Sequence, residues 1–104
     1  MKIMKEQILG YYKTDHFLFR QWDRNIPDIL LKAILPREIS TKRQLFVVSK
    51  KIVRKFLKKY NKELIIKADG KVLITCFYCN FQDYFFKGQK KENYYFIYKL
   101  NLKL

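Results

Sequence analysis

Apolar and polar positions follow two different periods along this chain, and the change from one to the other marks its organisation. Residues 15–24 and the run PDILLKAI carry apolar residues at helical spacing. Thr14 or Asp15 can cap the first of these helices, because a short oxygen-bearing side chain accepts from the unpaired N–H groups of a first turn. Asn25 breaks it. Pro27 suits the opening turn of the second helix, where its fixed φ is already helical and its missing N–H is not needed. Pro36 ends that helix, since the residue before a proline avoids the helical region. Upstream, residues 3–12 also read as helical, and residues 13–15 look like a break.

The period then changes. Residues 43–48, RQLFVV, read as a strand. Ser49 caps a third helix, KKIVRKFLKKY, in which Val53, Phe56, Leu57 and Tyr60 recur at helical spacing and turn one face to the core. ELIIKA and KVLITCFY are β-rich runs joined by Asp69-Gly70, a strong two-residue hairpin signal. The rest is aromatic-rich, and DYFFKGQKKENYYFIYKL reads as a second hairpin turning around residues 88–93. The expected architecture is α+β: N-terminal helices followed by an antiparallel β-sheet with one inserted basic helix. With 104 residues and no repeat, low-complexity stretch or Gly/Ser-rich linker, residues 1–104 are read as a single domain.

Composition supports a packed core. Hydrophobic residues make up 49% of the chain and aromatic residues 17%, which excludes a disordered tail. Charge then narrows the function. Lys and Arg number 23 against 9 Asp and Glu, a formal net charge of +14. A compact domain bears such self-repulsion when it serves an anionic partner, and nucleic acid is the commonest one. An AT-rich genome would raise Lys together with Ile, Asn, Tyr and Phe, but it accounts less well for the scarcity of acids. No apolar run approaches the roughly 20 residues of a spanning helix. The opening MKIMKEQILGYY lacks the apolar core of a signal peptide. The expected partner is therefore RNA rather than a membrane, and the expected location is the cytoplasm.

Cys76 and Cys79 form a C-x-x-C pair. Zinc would need four ligands, and His16 is the only other strong soft ligand in the chain. The pair also lies in a strand-like run, where residues three apart point to opposite faces. No metal or cofactor is expected, and the cysteines read as two ordinary thiols.

Residues 15–24 carry the most chemistry. At about 100° per residue, His16, Arg20, Asp23 and Arg24 share one arc of the helix, while Phe17, Leu18, Phe19, Gln21 and Trp22 cover the remainder. The sole histidine thus stands one turn from one arginine and two turns from another. Guanidiniums can fork onto phosphate oxygens and offset charge that builds in a transition state. An imidazole exchanges protons near neutrality. An ordinary solvated helix face would show the same spacing.

A resemblance sharpens this reading. DHFLFRQWDRNIPDILLKAI, with His16, Arg20, Arg24 and Ile26 at its fixed spacings, resembles the opening of a bacterial family of small domains. VLITCFY resembles that family's hydrophobic-Thr-hydrophobic strand and places Thr75. These domains are similar to the toxin ribonucleases grouped with barnase, EndoU, colicin D and RelE. The likeness spans roughly residues 14–78. Asn25 stands where the group usually has glycine, and Pro27 where it has a capping serine. The resemblance implies N-terminal helices, an antiparallel sheet, and a catalytic set of His16, Arg20, Arg24 and Thr75. It also implies an acidic protein inhibitor or antitoxin.

The third helix adds a second basic element. Lys50, Lys51, Arg54, Lys55, Lys58 and Lys59 crowd it, and no acidic residue lies between Glu38 and Glu63. A mixed solvated face would carry Glu at some of these positions. These residues are expected to grip phosphates. The tail's tyrosines and phenylalanines suit either base stacking or a core. The leading expectation is a metal-independent, RNA-cleaving toxin-type endoribonuclease. The alternative is a non-catalytic nucleic-acid-binding or protein-interaction module of a phage or mobile element.

Overall fold

The computed structural model describes residues 7–80 and the backbone of residues 93–97. In chain order the elements are β1 (Gln7–Ile8), β2 (Tyr11–Lys13), α1 (Asp15–Asp23), α2 (Asp28–Ile34), β3 (Arg43–Val48), α3 (Lys50–Phe56), β4 (Glu63–Asp69), β5 (Val72–Cys79) and β6 (Asn93–Ile97). The strands form one sheet in the order β1-β2-β5-β4-β3-β6. The α+β class holds, with the basic helix α3 inserted between β3 and β4.

The β4–β5 hairpin closes as its turn signal predicts, with Asp69 opposite Val72 and Gly70 at φ 59°. Residues 43–48 form β3, antiparallel to β4 from Arg43↔Asp69 to Val48↔Leu64. Between β4 and β6, β3 is a central strand, and Leu45 to Val48 are all fully buried. A strand covered on both faces reads as a continuous apolar run rather than an alternating one.

The sheet is mixed, not antiparallel. β2 runs parallel to β5 through Tyr12↔Val72, and β3 runs parallel to β6 from Gln44↔Asn93 to Val48↔Ile97. Turn chemistry announces pairs between neighbouring strands. A parallel pair needs a long crossover and leaves no such local mark. The second hairpin read over residues 83–100 lies outside the described residues, apart from the 93–97 backbone.

Where it is described, the helix read over residues 3–12 is a two-stranded hairpin. Leu9 at φ 51° and Gly10 at φ 86° make the paired left-handed turn that suits a two-residue loop. A Cβ on Gly10 would sit 3.1 Å from Ile39 Cδ1. Tyr11 and Tyr12, good strand formers, follow at once. Tyr11 is fully buried and its hydroxyl donates to the Pro36 carbonyl at 2.9 Å.

All three helices pack on one face of the sheet. Phe17 of α1, Leu30, Leu31 and Ile34 of α2, and Ile52 and Val53 of α3 meet Phe46, Val48, Leu64, Ile66, Leu73 and Cys76. Leu45, Val47 and Ile65 belong to the opposite face, with Phe77 and Cys79 beside them. α3 ends at Phe56, earlier than its sequence pattern suggests, so Lys58 and Lys59 lie on the turn that follows. Leu57 leaves the helical region at φ −133°, so Tyr60 reaches the core from the turn rather than from the helix. Among the described residues, no helix is long and apolar enough to cross a membrane.

A candidate nucleic-acid interface

Local chemistry places α1 firmly on β5. Thr14 is its N-cap, accepting from the Phe17 N–H at 3.0 Å. The same hydroxyl donates to the Ile74 carbonyl at 3.1 Å, and the Thr14 N–H donates to the Leu73 carbonyl at 3.2 Å. Asp15 lies in the first turn, where a negative charge meets the positive end of the helix dipole. At the other end Asn25 takes φ 55°, its N–H bonding to the Trp22 carbonyl and that of Ile26 to the Gln21 carbonyl. This is a complete Schellman cap, and asparagine substitutes for glycine because it tolerates the left-handed region.

Between these caps α1 buries only Phe17. His16 is exposed near the start, Arg20 is half-buried one turn on, and Arg24 is exposed at the C-cap. Asp23 lies 3.6 Å from Arg24 Nε. Both side chains are exposed, so that pair adds little stability. Arg20 and Arg24 nonetheless act on the sheet below. Burial pushes the Cys76 thiol up to about 12, and the charges of Lys13, Arg20 and Arg24 work against it. His16, Arg20 and Arg24 are thus brought together along one helix.

Thr75 is not brought to them. The β5 register shifts between Lys67 and Ala68 of β4, so Lys67 faces Thr75 while Ala68 faces Leu73. Ile74 is the extra residue of a bulge. The bulge resets the alternation. Leu73, Cys76 and Tyr78 share the helical face, whereas Thr75 sits with Lys67 on the face of Phe77 and Cys79. The simple alternation that groups Thr75 with Leu73 fails for this reason.

Cys76 and Cys79 also fall on opposite faces, so they do not chelate one ion together. A thiol that is buried and hard to ionise reacts slowly, because the thiolate is the nucleophile. Titration with a disulfide reagent at neutral pH is expected to show Cys79 reacting ahead of Cys76. Equal rates would contradict the burial of Cys76.

The basic element presents its charge outward. Lys51, Arg54, Lys55, Lys58 and Lys59 are exposed and Lys50 is half-buried, while Ile52 and Val53 anchor α3. Among the described residues, no carboxylate pairs with any of the six. Lys50 and Lys51 occupy the first turn, where the dipole disfavours cations, so local helix stability does not account for them. The turn after α3 then meets the end of α1. The Tyr60 hydroxyl donates to the Arg24 carbonyl at 3.4 Å, and the Tyr60 ring stacks on Tyr78 with centroids 4.4 Å apart. Arg24 and the turn holding Lys58 and Lys59 are therefore neighbours on one side of the molecule.

Comparison of the chain with protein families, with curated proteins and with solved structures finds no match.

Two features at the α1–α2 junction escape a reading by sequence. Lys13 is 2% exposed, yet charged, and its Nζ lies 2.7 Å from Asp28 Oδ1. Gln21 Nε2 donates to the same oxygen at 2.6 Å and to the Ile26 carbonyl at 2.9 Å. The Lys13 hydrogen bond is the main force holding the Asp28 carboxyl below its ordinary value. A group with a lowered folded pKa stabilises above the unfolded value, so this contribution is lost as pH falls from about 4 downward. Asp28→Asn should cost about 3 kcal/mol at neutral pH, the low end for stranding a buried charge, because Asp28 itself is exposed. Urea unfolding measures this, and an unchanged midpoint would show that Lys13 needs no counter-charge. The second feature is an exposed aromatic pair, Phe19 and Trp22. Phe17, Leu18, Phe19 and Trp22 surround α1, and a helix resting on one sheet cannot bury them all.

Proposed function

We propose that this domain binds RNA through the cations of residues 50–59 and Arg24, and cuts it without metal, as the toxin ribonucleases it resembles do. The observation that carries the reading is the unbalanced basic surface of α3 and its exit turn, adjoining the end of α1 that bears the arginines. Six cations that no carboxylate among the described residues pairs with form a phosphate grip. Arg20 and Arg24 clamp the reacting phosphate and offset the charge of the pentavalent transition state. His16 moves the proton, from the 2′-hydroxyl as base or to the leaving 5′-oxygen as acid. Thr75, on the other face, has no part in this scheme. A cellular inhibitor would be acidic, matching the +14 surface, and the protein would act in the cytoplasm.

One observation favours the second reading, a non-catalytic nucleic-acid-binding module. The other acid–base group on the exposed arc of α1 is Asp23, and Arg24 already engages it. Incubation of the purified protein with total RNA and EDTA separates the two. Fragments ending in a 2′,3′-cyclic phosphate are the expected result. Salt-sensitive binding without cleavage supports the module instead.

A further inference from the structure

Trp22 is 78% exposed on the last turn of α1, and Phe19, 54% exposed, lies beside it with ring centroids 6.2 Å apart. Burying an indole is among the largest single gains open to a small core, yet α1 turns Phe17 inward and leaves this one in water. Next to the indole is a surface pocket of about 320 Å³, with Leu18 and Ile26 as apolar wall and Gln21, Asn25 and Asp28 as polar rim. That volume is at the lower end for small-ligand pockets, which begin at about 300 Å³, and it suits one flat heterocycle.

We infer that Trp22 is a stacking platform for an unpaired RNA base, which enters the pocket between α1 and α2. The inference rests on the RNA-binding reading and narrows it to single-stranded substrate. Three observations support a base over a protein side chain. Among the described residues, the large apolar side chains left exposed on α1 and α2 are Phe19, Trp22 and Ile29, and three such groups fall short of the roughly 800 Å² per partner that a stable protein interface buries. The two charged residues that line the pocket, Lys13 and Asp28, pair with each other, so the site carries no net charge and suits an uncharged base. The rim also carries hydrogen-bonding groups that can meet the edge of a base, whereas the indole face is indifferent to base identity. Duplex RNA keeps its bases stacked inside the helix and cannot offer one to this platform.

Trp22 is the only tryptophan in the chain, so its emission reports on this site alone. The test uses a ten-nucleotide adenosine oligoribonucleotide, and an abasic oligomer with the same number of phosphates. Stacking should quench the emission with the first and leave it nearly unchanged with the second. Trp22→Ala should weaken binding of the adenosine oligomer by about 5- to 100-fold, the range for one lost base–aromatic stack, and leave the abasic oligomer alone. Trp22→Phe, which keeps a ring, should restore most of the loss. Equal quenching by both oligomers, or wild-type affinity in Trp22→Ala, overturns the platform while leaving the phosphate grip intact; the exposed rings would then pass to a protein partner. Failure of both oligomers to bind the wild type overturns the RNA reading itself, and the platform with it.

Discussion

His16→Ala is expected to lower RNA cleavage by about 10²- to 10⁴-fold while leaving RNA affinity nearly unchanged. The magnitude is that of a lost acid–base group, and the separation from binding follows from position. His16 is exposed on the first turn of α1, outside the packed contacts of Phe17, so its removal leaves the helix and its caps intact. Arg20→Ala should differ. Arg20 is half-buried above β5, and its charge acts both on the sheet below and on any phosphate above, so binding and cleavage should fall together. Initial rates on a defined RNA in EDTA, beside affinities for an uncleavable 2′-deoxy analogue, measure the two effects separately. Activity within a few-fold of wild type in His16→Ala would remove histidine from the mechanism. Attention would then pass to the hairpin residues. Of these Lys71 is exposed, held 5.2 Å over the Tyr12 ring, whereas burial holds the Tyr78 hydroxyl in its neutral form and Lys67 faces away from α1.

Salt should dominate affinity. If all six cations of residues 50–59 meet phosphates of a single strand, log K falls with log salt at a slope of about −4, so affinity drops about 300-fold between 50 and 200 mM. Reversing Lys51, Arg54, Lys55 and Lys58 to Glu should flatten that slope by about 3 and weaken all sequences alike, because phosphate contacts carry no sequence information. The four side chains are exposed or lie on the exit turn, so the variant keeps the Ile52 and Val53 anchor. Affinity that is flat across this salt range would show that the basic surface is not a phosphate grip. Together with the histidine variant, this measurement separates a site that binds from one that also cuts.

Features governed by near neighbours were legible in the sequence. Thr14, one of the two residues offered as the first cap, and Ser49 cap their helices, Pro36 follows the end of α2, and Asp69-Gly70 closes its hairpin. The grouping of His16 with Arg20 and Arg24 needed only helical geometry. What escaped depends on partners far along the chain. Residues 11–13 become a strand by pairing with residues 71–73, which their own pattern does not announce. One bulge at Ile74 moves Thr75 across the sheet, and no residue there signals it as a glycine would. Lys13, in a stretch that read as a break, is buried where it and Gln21 both donate to one Asp28 oxygen across the α1–α2 junction.

The pairing of β2 with β5 has a consequence for biosynthesis. α1 and the arginines it carries are made before β5, yet the carbonyls that hold its start belong to Leu73 and Ile74 of that strand. The neighbouring strand of α1 therefore leaves the ribosome some sixty residues after the helix itself. A short helix without its packing surface is marginal in water. During translation the helix that sets His16, Arg20 and Arg24 in line is thus unsupported until β5 emerges. On the proposed reading, the chain could not threaten its own messenger while still tethered to it, and a partner that recognises the docked helix would meet its target only after the sheet has closed.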